Sequence, residues 1–289
     1  MNTKKNLLIR LLKLFPIKSV KEHFGIKTSK RDFVIDEVIE KYSEDNILKF
    51  ACEKFDYSKQ HIYIYSHNLK KLSDFGASIF PDLECYQFLN EPKIKSYFYF
   101  YETTYSVLIL NDQIQRAEVN FKVPLKVVVD DKYIILYFTI VEKNISTYIE
   151  NSNRVLNFGK STDEKILSVK LYNEVSSLCS LNLLDLNKGI KYLWESNFID
   201  APYVKWKRSK STSTETMDEE YTLKEQYPDI YNQIMNAPIK KTIFKFLIKS
   251  EISYNHFIVD PTEGKISFTT FAENIKDKEY VIGKILQHN

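Results

Sequence analysis

The chain has 289 residues, 44% of them hydrophobic, which is more than a usual single domain and enough for two or three packed units with real cores. Its 41 basic and 38 acidic side chains give a formal net charge of +3, so bulk charge alone does not announce a nucleic-acid binder and local clusters must carry any such claim. With 6 glycines against 20 tyrosines and 19 phenylalanines, the composition favours aromatic-rich sheets and helices over glycine-loop nucleotide enzymes.

The N-terminal stretch NLLIRLLKLF is interrupted by Arg10 and Lys13 and followed by no small-residue cleavage site, so it reads as a short amphipathic helix and not as a signal peptide. No run approaches the roughly 18–20 apolar residues of a membrane span. Cys52, Cys85 and Cys179 are odd in number and widely spaced, which suits reduced, buried thiols and not a zinc site. The expected location is the cytoplasm.

Residues 1–58 read as a basic helical unit. Leu7, Leu8, Leu11, Leu12 and Phe15 recur at helical spacing, Pro16 ends that helix, and Val20 and Phe24 belong to another that Gly25 stops. Thr28 or Ser29 can cap a third helix whose inner face is Phe33, Val34, Val38 and Ile39; Ser43 can cap a fourth with Ile47, Phe50, Ala51 and Phe55 inward. From 59 to 145 the period changes to two in HIYIYSH, LECYQFL, KSYFYFYETTYSVLIL, AEVNFKVPLKVVV and KYIILYFTIVE, with a turn at Asp130-Asp131-Lys132. Residues 146–163 are polar and read as a linker.

The last region, 164–289, opens with two helices, one facing inward through Leu167, Leu171, Val175 and Leu178, the other through Leu186, Ile190, Leu193 and Trp194. The strand FIDAPYVKWK follows, and in KWKRSKSTSTETMDEE the basic half extends that strand, the Ser/Thr run is the tip, and Asp218, Glu219 and Glu220 open the next helix. A strand at IKKTIFKFL, a hairpin turned by Asp260, Pro261 and Gly264, and a helix near 276–287 close the chain. The expected fold class is α+β: a small N-terminal helical unit, a central, mostly antiparallel, aromatic-rich sheet, and a C-terminal helical, winged-helix-like unit with a β-hairpin.

Residues 1–31 hold nine basic side chains against the single acid Glu22. Within them, PIKSVKEHF followed by GIKTSKRDFVIDEVI resembles, over 17–41, the helix-loop-helix of SAP-type DNA-binding modules. The resemblance implies DNA contact from the loop and helix start, through Lys18, Lys21, Lys27, Lys30 and Arg31, with helix-start N–H groups adding attraction for phosphate. The alternative is that these side chains solvate the outer faces of small helices.

Residues 164–216, two helices followed by a basic strand and a polar hairpin, resemble a winged-helix arrangement. The resemblance implies Lys188 and Lys191 on the exposed face of the second helix and a wing of Lys205, Lys207, Arg208 and Lys210. Trp206 would then stack on a sugar or base, a contact worth about 1–3 kcal/mol. The alternative is a helical hairpin and a loop, with Trp206 buried.

Catalytic patterns are sparse. PDLECYQFLNEPK has the letters of a PD-x-ExK nuclease motif in Asp82, Glu91 and Lys93, but Pro92 falls where a strand interior is required. Asp130, Asp131, Glu142 and Lys143 form a second such set, in which the adjacent Glu142 and Lys143 point to opposite strand faces. His61 and His67 are too far apart to share a ligand, and no nucleophile elbow or P-loop is present. No catalytic residue, metal or cofactor is therefore assigned. The expected function is an intracellular nucleic-acid-associated binding or regulatory protein, for DNA in preference to RNA and with no membrane. The alternatives are a protein-interaction subunit of a larger complex and a metal-dependent nuclease of restriction or phage-defence type.

Overall fold

A computed structural model describes residues 3–76, 80, 82–110, 113–141, 145–149, 154–208, 211–216, 221–247 and 256–289. The fold is α+β with extensive antiparallel strand pairing. Helices α1 (Thr3–Lys13), α2 (Ile17–Phe24), α3 (Arg31–Lys41) and α4 (Glu44–Glu53) precede strands β1 (Gln60–His67), β2 (Cys85–Glu91), β3 (Ile94–Leu110), β4 (Ile114–Val129), β5 (Tyr133–Thr139) and β6 (Val155–Lys160). Then come α5 (Glu164–Val175), β7 (Leu181–Leu183), α6 (Asn187–Glu195), β8 (Ile199–Lys207) and β9 (Thr212–Thr216). The chain ends with α7 (Leu223–Gln226), α8 (Pro228–Met235), β10 (Ile239–Phe246), β11 (Phe257–Asp260), β12 (Lys265–Phe268) and α9 (Lys276–Gln287). No helix among the described residues is long and apolar enough to cross a membrane.

The chain divides into two compact units that interleave in sequence, one of residues 1–58, 68–132 and 138–181, the other of 59–67, 133–137 and 182–289. In the first, Phe50 is fully buried, with its ring centroid 5.1 Å from those of Phe15, His23 and Phe24. Gly25 ends α2 at φ 65°, a left-handed conformation that side chains disfavour, and the chain then turns into α3. Ser43 caps α4 as expected, accepting from Asn46 N at 3.4 Å.

The inner face of α3 differs from the sequence expectation: Val34, Ile35 and Val38 are buried while Phe33 is 58% exposed. Arg31 donates to Lys13 O and Phe15 O at 2.8 and 3.2 Å and so faces the end of α1; at about 100° per residue, position 33 then turns away. Nor does Thr28 or Ser29 cap α3. Its N-cap residue is Lys30, which makes no side-chain cap, and Thr28 Oγ1 donates to Glu37 Oε2 at 2.8 Å.

Strands β3 and β4 pair antiparallel from Lys95↔Val129 to Leu110↔Ile114, with β2 and β6 both on the other edge of β3. The stretch expected as a linker thus contains a strand, because Val155–Lys160 supplies hydrogen bonds to the end of β3 that β2 does not reach. Helix α1 docks on β4 through Arg10, whose Nη1 donates to Asn120 O at 2.6 Å and whose guanidinium lies 5.6 Å from the Phe121 ring centroid. Leu167, Leu171 and Val175 of α5 are buried as expected, but Leu178 lies past the helix end and is exposed.

In the second unit the strand order is β5-β1-β12-β11-β10-β8-β9, with β7 also on β1. Paired residues share a face, so Ile62↔Ile266, Ile266↔Val259, Val259↔Thr242 and Thr242↔Val204 form one buried row across five strands. Helix α6 covers that side: Trp194 meets Phe244 of β10 at 5.5 Å and Tyr231 of α8 at 5.3 Å. Gly189 lets α6 approach α9, since a Cβ there would come within 2.3 Å of Ile285 O. A capping box of Thr222 and Glu225 starts α7, and Pro228 starts α8.

The packing predicts an asymmetry between two phenylalanines of the helical segment. Phe50→Ala should lower the unfolding free energy by about 3–5 kcal/mol, and Phe33→Ser should change it by less than about 0.5 kcal/mol, both read from denaturant titrations. Equal effects would contradict the assignment of the inner face.

Candidate nucleic-acid interface

The second unit carries a basic sheet face. Along β8, Val204 and Trp206 point into the core while Lys205 and Lys207 are exposed, as the two-residue period of a strand requires. Register extends that face sideways: Tyr203↔Thr216, Lys205↔Thr214 and Lys207↔Thr212 to β9, and Lys205↔Lys241 and Tyr203↔Ile243 to β10. Lysines 205, 207 and 241 therefore stand with the hydroxyls of Thr212, Thr214 and Thr216 on the side opposite the core. Farther along, Asp260 pairs with Lys265, which pairs with Tyr63 and lies 5.1 Å over its ring. Burial raises the pKa of Asp260, and the ammonium groups of Lys241 and Lys265 oppose that rise, so this acid offsets part of the positive charge at the inner end of the face.

The other wing and helix residues sit elsewhere. Trp206 is 3% exposed and pairs with Ser213 and Ile239 in the sheet, so its ring is closed to an external base. Its Nε1–H finds no acceptor among the described residues, a state that costs about 1–3 kcal/mol in a protein interior. Arg208 covers the ring at 5.5 Å and reaches Gln233 Oε1 at 3.4 Å. Lys191 is half-buried and donates to Ala237 O at 2.8 Å; desolvation lowers its pKa, and its role is to tie α6 to the turn before β10. Lys188 is exposed on α6, the helix that packs on the core side of the sheet, away from Lys205 and Lys207. The helix lysines and the strand lysines thus do not share a surface. Helix α5 falls in the first unit and α6, β8 and β9 in the second, so residues 164–216 do not make one module. Lys210, Asp218, Glu219 and Glu220 lie outside the described residues. The Ser/Thr run, expected as a loop tip, is strand β9, and the turn precedes it.

In the first unit most of the N-terminal positive charge is engaged internally. Lys4 pairs with Glu44, Arg10 with Asn120 O, Lys13 with Asp32, and Arg31 with the last carbonyls of α1. Lys30 lies 5.7 Å from the ring centroid of Phe33. Lys18, Lys21 and Lys27 gather around a shallow depression of about 610 Å³ at the α2–α3 junction, floored by Gly25 and Ile26. Glu22 borders it and lies 3.9 Å from Lys18. The depression adjoins the start of α3, whose first N–H groups have no side-chain cap.

The nuclease-like sets come apart. Asp82 pairs with Lys170, Glu91 ends β2, and Pro92 and Lys93 form the turn into β3. Asp130 Oδ1 accepts from Lys132 N at 2.7 Å in a local turn, and Glu142 and Lys143 lie outside the described residues. Among the described residues no group of three or more His, Cys, Asp or Glu is disposed to hold a metal ion. His61 Nδ1 lies 2.8 Å from Ser267 Oγ, a cross-strand contact. Burial pushes the Cys52 thiol up to about 12 and raises Cys85 and Cys179 as well, so none is primed as a nucleophile.

Two contributors to the basic face were not singled out from sequence. Lys241 belongs to a strand 36 residues from Lys205, and only pairing brings them together. The alternation of threonine at 212, 214 and 216 is a strand signal that the loop-like composition masks. No protein-family model matches the chain, and no curated protein sequence matches it either.

Arg31 and Lys27 separate structural from surface charge. Arg31→Ala should lower stability by about 1–2 kcal/mol through loss of its carbonyl contacts, while Lys27→Ala stays within about 0.5 kcal/mol of the parent. Thermal unfolding monitored by circular dichroism reads both, and a neutral Arg31→Ala would show that the α1 terminus does not depend on it.

Proposed function

We propose that this chain is a cytoplasmic nucleic-acid-binding protein that holds the phosphate backbone of DNA on the outer face of β9, β8 and β10. The observation that carries the reading is the strand register that lines up Lys205, Lys207 and Lys241 beside three threonine hydroxyls. Ammonium groups release counterions from phosphate, and hydroxyls donate to its oxygens; neither reads sequence. The β8–β9 ribbon ends the strand order of its unit, and a two-stranded ribbon has the width that the major groove of B-DNA admits. The deep, narrow major groove of A-form RNA does not admit one, which favours DNA. Lys18, Lys21 and Lys27 offer a second phosphate contact in the helical unit. The free state of all three cysteines suits a reducing compartment.

A second reading, a protein-partner surface, is favoured by one feature. Ile166, Val169 and Tyr172 are exposed at helical spacing on α5, on the side away from its buried residues. Under it, Val169→Lys would abolish a stoichiometric complex in size-exclusion chromatography and leave DNA affinity unchanged.

Salt dependence tests the first reading. Fluorescence anisotropy with a labelled duplex between 50 and 200 mM salt, taken as a rough working range, should give a steep negative slope of log affinity against log salt. Each of Lys205→Ala, Lys207→Ala and Lys241→Ala should reduce that slope by about 0.9. Lys188→Ala should leave it unchanged. Absence of binding to any nucleic acid at the lowest salt would sink the proposal.

A further inference from the structure

A separate feature of the second unit lies where the end of β8 meets α8. A surface cavity of about 400 Å³ is lined there by Trp206, Lys207, Arg208, Asn232, Gln233 and Asn236. Its size falls within the range of small-molecule sites, roughly 300–1,000 Å³. Its chemistry is one-sided: a guanidinium, an ammonium and three carboxamides, with no carboxylate in the lining. Such a wall repels cations and accepts an anion.

The second observation is the tryptophan. Trp206 is almost wholly buried, yet its indole lines this cavity and its Nε1–H has no acceptor among the described residues. Buried donors are nearly always satisfied, and a ligand oxygen is one way to satisfy this one. Arg208 is held over the indole at 5.5 Å and against Gln233 Oε1 at 3.4 Å, which orients its fork without an ion pair. Asn236 Nδ2 donates to Asn232 O at 2.9 Å, fixing one carboxamide, and the Asn232 side chain is exposed at the rim.

We infer that this cavity binds a nucleotide carrying a phosphomonoester, the phosphate held by Arg208 and Lys207 and the base edge by the carboxamides of Asn232, Gln233 and Asn236. Guanidinium forks match phosphate oxygens, and carboxamides pair with the donor–acceptor edges of bases. Inorganic phosphate alone would leave most of the cavity and all of the carboxamides unused. The source is either a free nucleoside monophosphate or the phosphorylated end of a strand, and both present the same chemistry. The inference stands apart from the sheet-face reading, with which it shares only Lys207.

Isothermal titration of the full chain with the four common nucleoside 5′-monophosphates and with inorganic phosphate tests it. At least one nucleotide should bind one to one with Kd below about 1 mM, more tightly than phosphate. Arg208→Ala and Asn232→Ala, both at exposed positions, should each weaken that nucleotide about tenfold with unchanged thermal unfolding. Trp206→Phe should weaken it too, and the two surface variants keep the test valid if that core change unfolds the chain. Competition then names the source: displacement by a 5′-phosphorylated oligonucleotide but not by its 5′-hydroxyl twin marks a strand end, and displacement by neither marks a free nucleotide, either result upholding the site. No nucleotide binding, equal affinity for phosphate and nucleotides, or affinity unaltered by Arg208→Ala would each overturn it. Because Arg208 and Asn232 are not part of the lysine face, failure here leaves the salt slope of DNA binding untouched.

Discussion

The burial of Trp206 and Val204 is the constraint on which the functional surface depends. A strand has a period of two, so placing these side chains in the core puts Lys205 and Lys207 outside. A slip of one residue would reverse the assignment and bury two lysines, and an unpaired buried ammonium is far too costly for that register to compete. The buried row from Ile62 through Ile266, Val259 and Thr242 to Val204 propagates the same choice across the unit. Lys241 and Lys265 face outward for the reason Lys205 does. The basic face is thus a by-product of the core, which is why it is a sheet surface and not a flexible wing.

The helical segment shows the opposite use of positive charge. Its composition is strongly basic, yet both arginines serve the fold: Arg10 bridges α1 to β4 through a carbonyl and two aromatic rings, and Arg31 joins α3 to the end of α1. Guanidinium is suited to both tasks, being planar, weakly hydrated and rich in donors. What is left for a ligand is a smaller set, Lys18, Lys21 and Lys27, grouped by the turn at Gly25. Counting charges along the sequence overstated the free charge because it could not see which carbonyls lay within reach.

Much of the architecture was legible in the sequence. The inward residues of α4, the aromatic strands, the hairpin around Pro261 and the closing helix all followed from periodicity and turn chemistry. What escaped depended on partners distant in sequence. Strand β6 is polar and recognisable only by the edge of β3 that it completes. Phe33 looks like a core residue until Arg31 sets the rotation of α3. Trp206 could be read as a stacking platform or as core, and the alternation VKWK, taken as a strand half-buried by its neighbours, agrees with the second. The cavity at β8 and α8 gathers Arg208 with Asn232 and Gln233 across a gap that no local pattern spans.

The central claim is that one face of one sheet, and not basic charge in general, meets nucleic acid. Lysine acylation by an N-hydroxysuccinimide ester, quantified by mass spectrometry with and without duplex DNA at low salt, tests it at single residues. The account predicts that Lys205, Lys207 and Lys241 are protected together while Lys188, on the helix covering the other side, reacts as fast as in the free protein. Equal protection of Lys188 and Lys205, or protection of neither Lys205 nor Lys241 while DNA is bound, would contradict it.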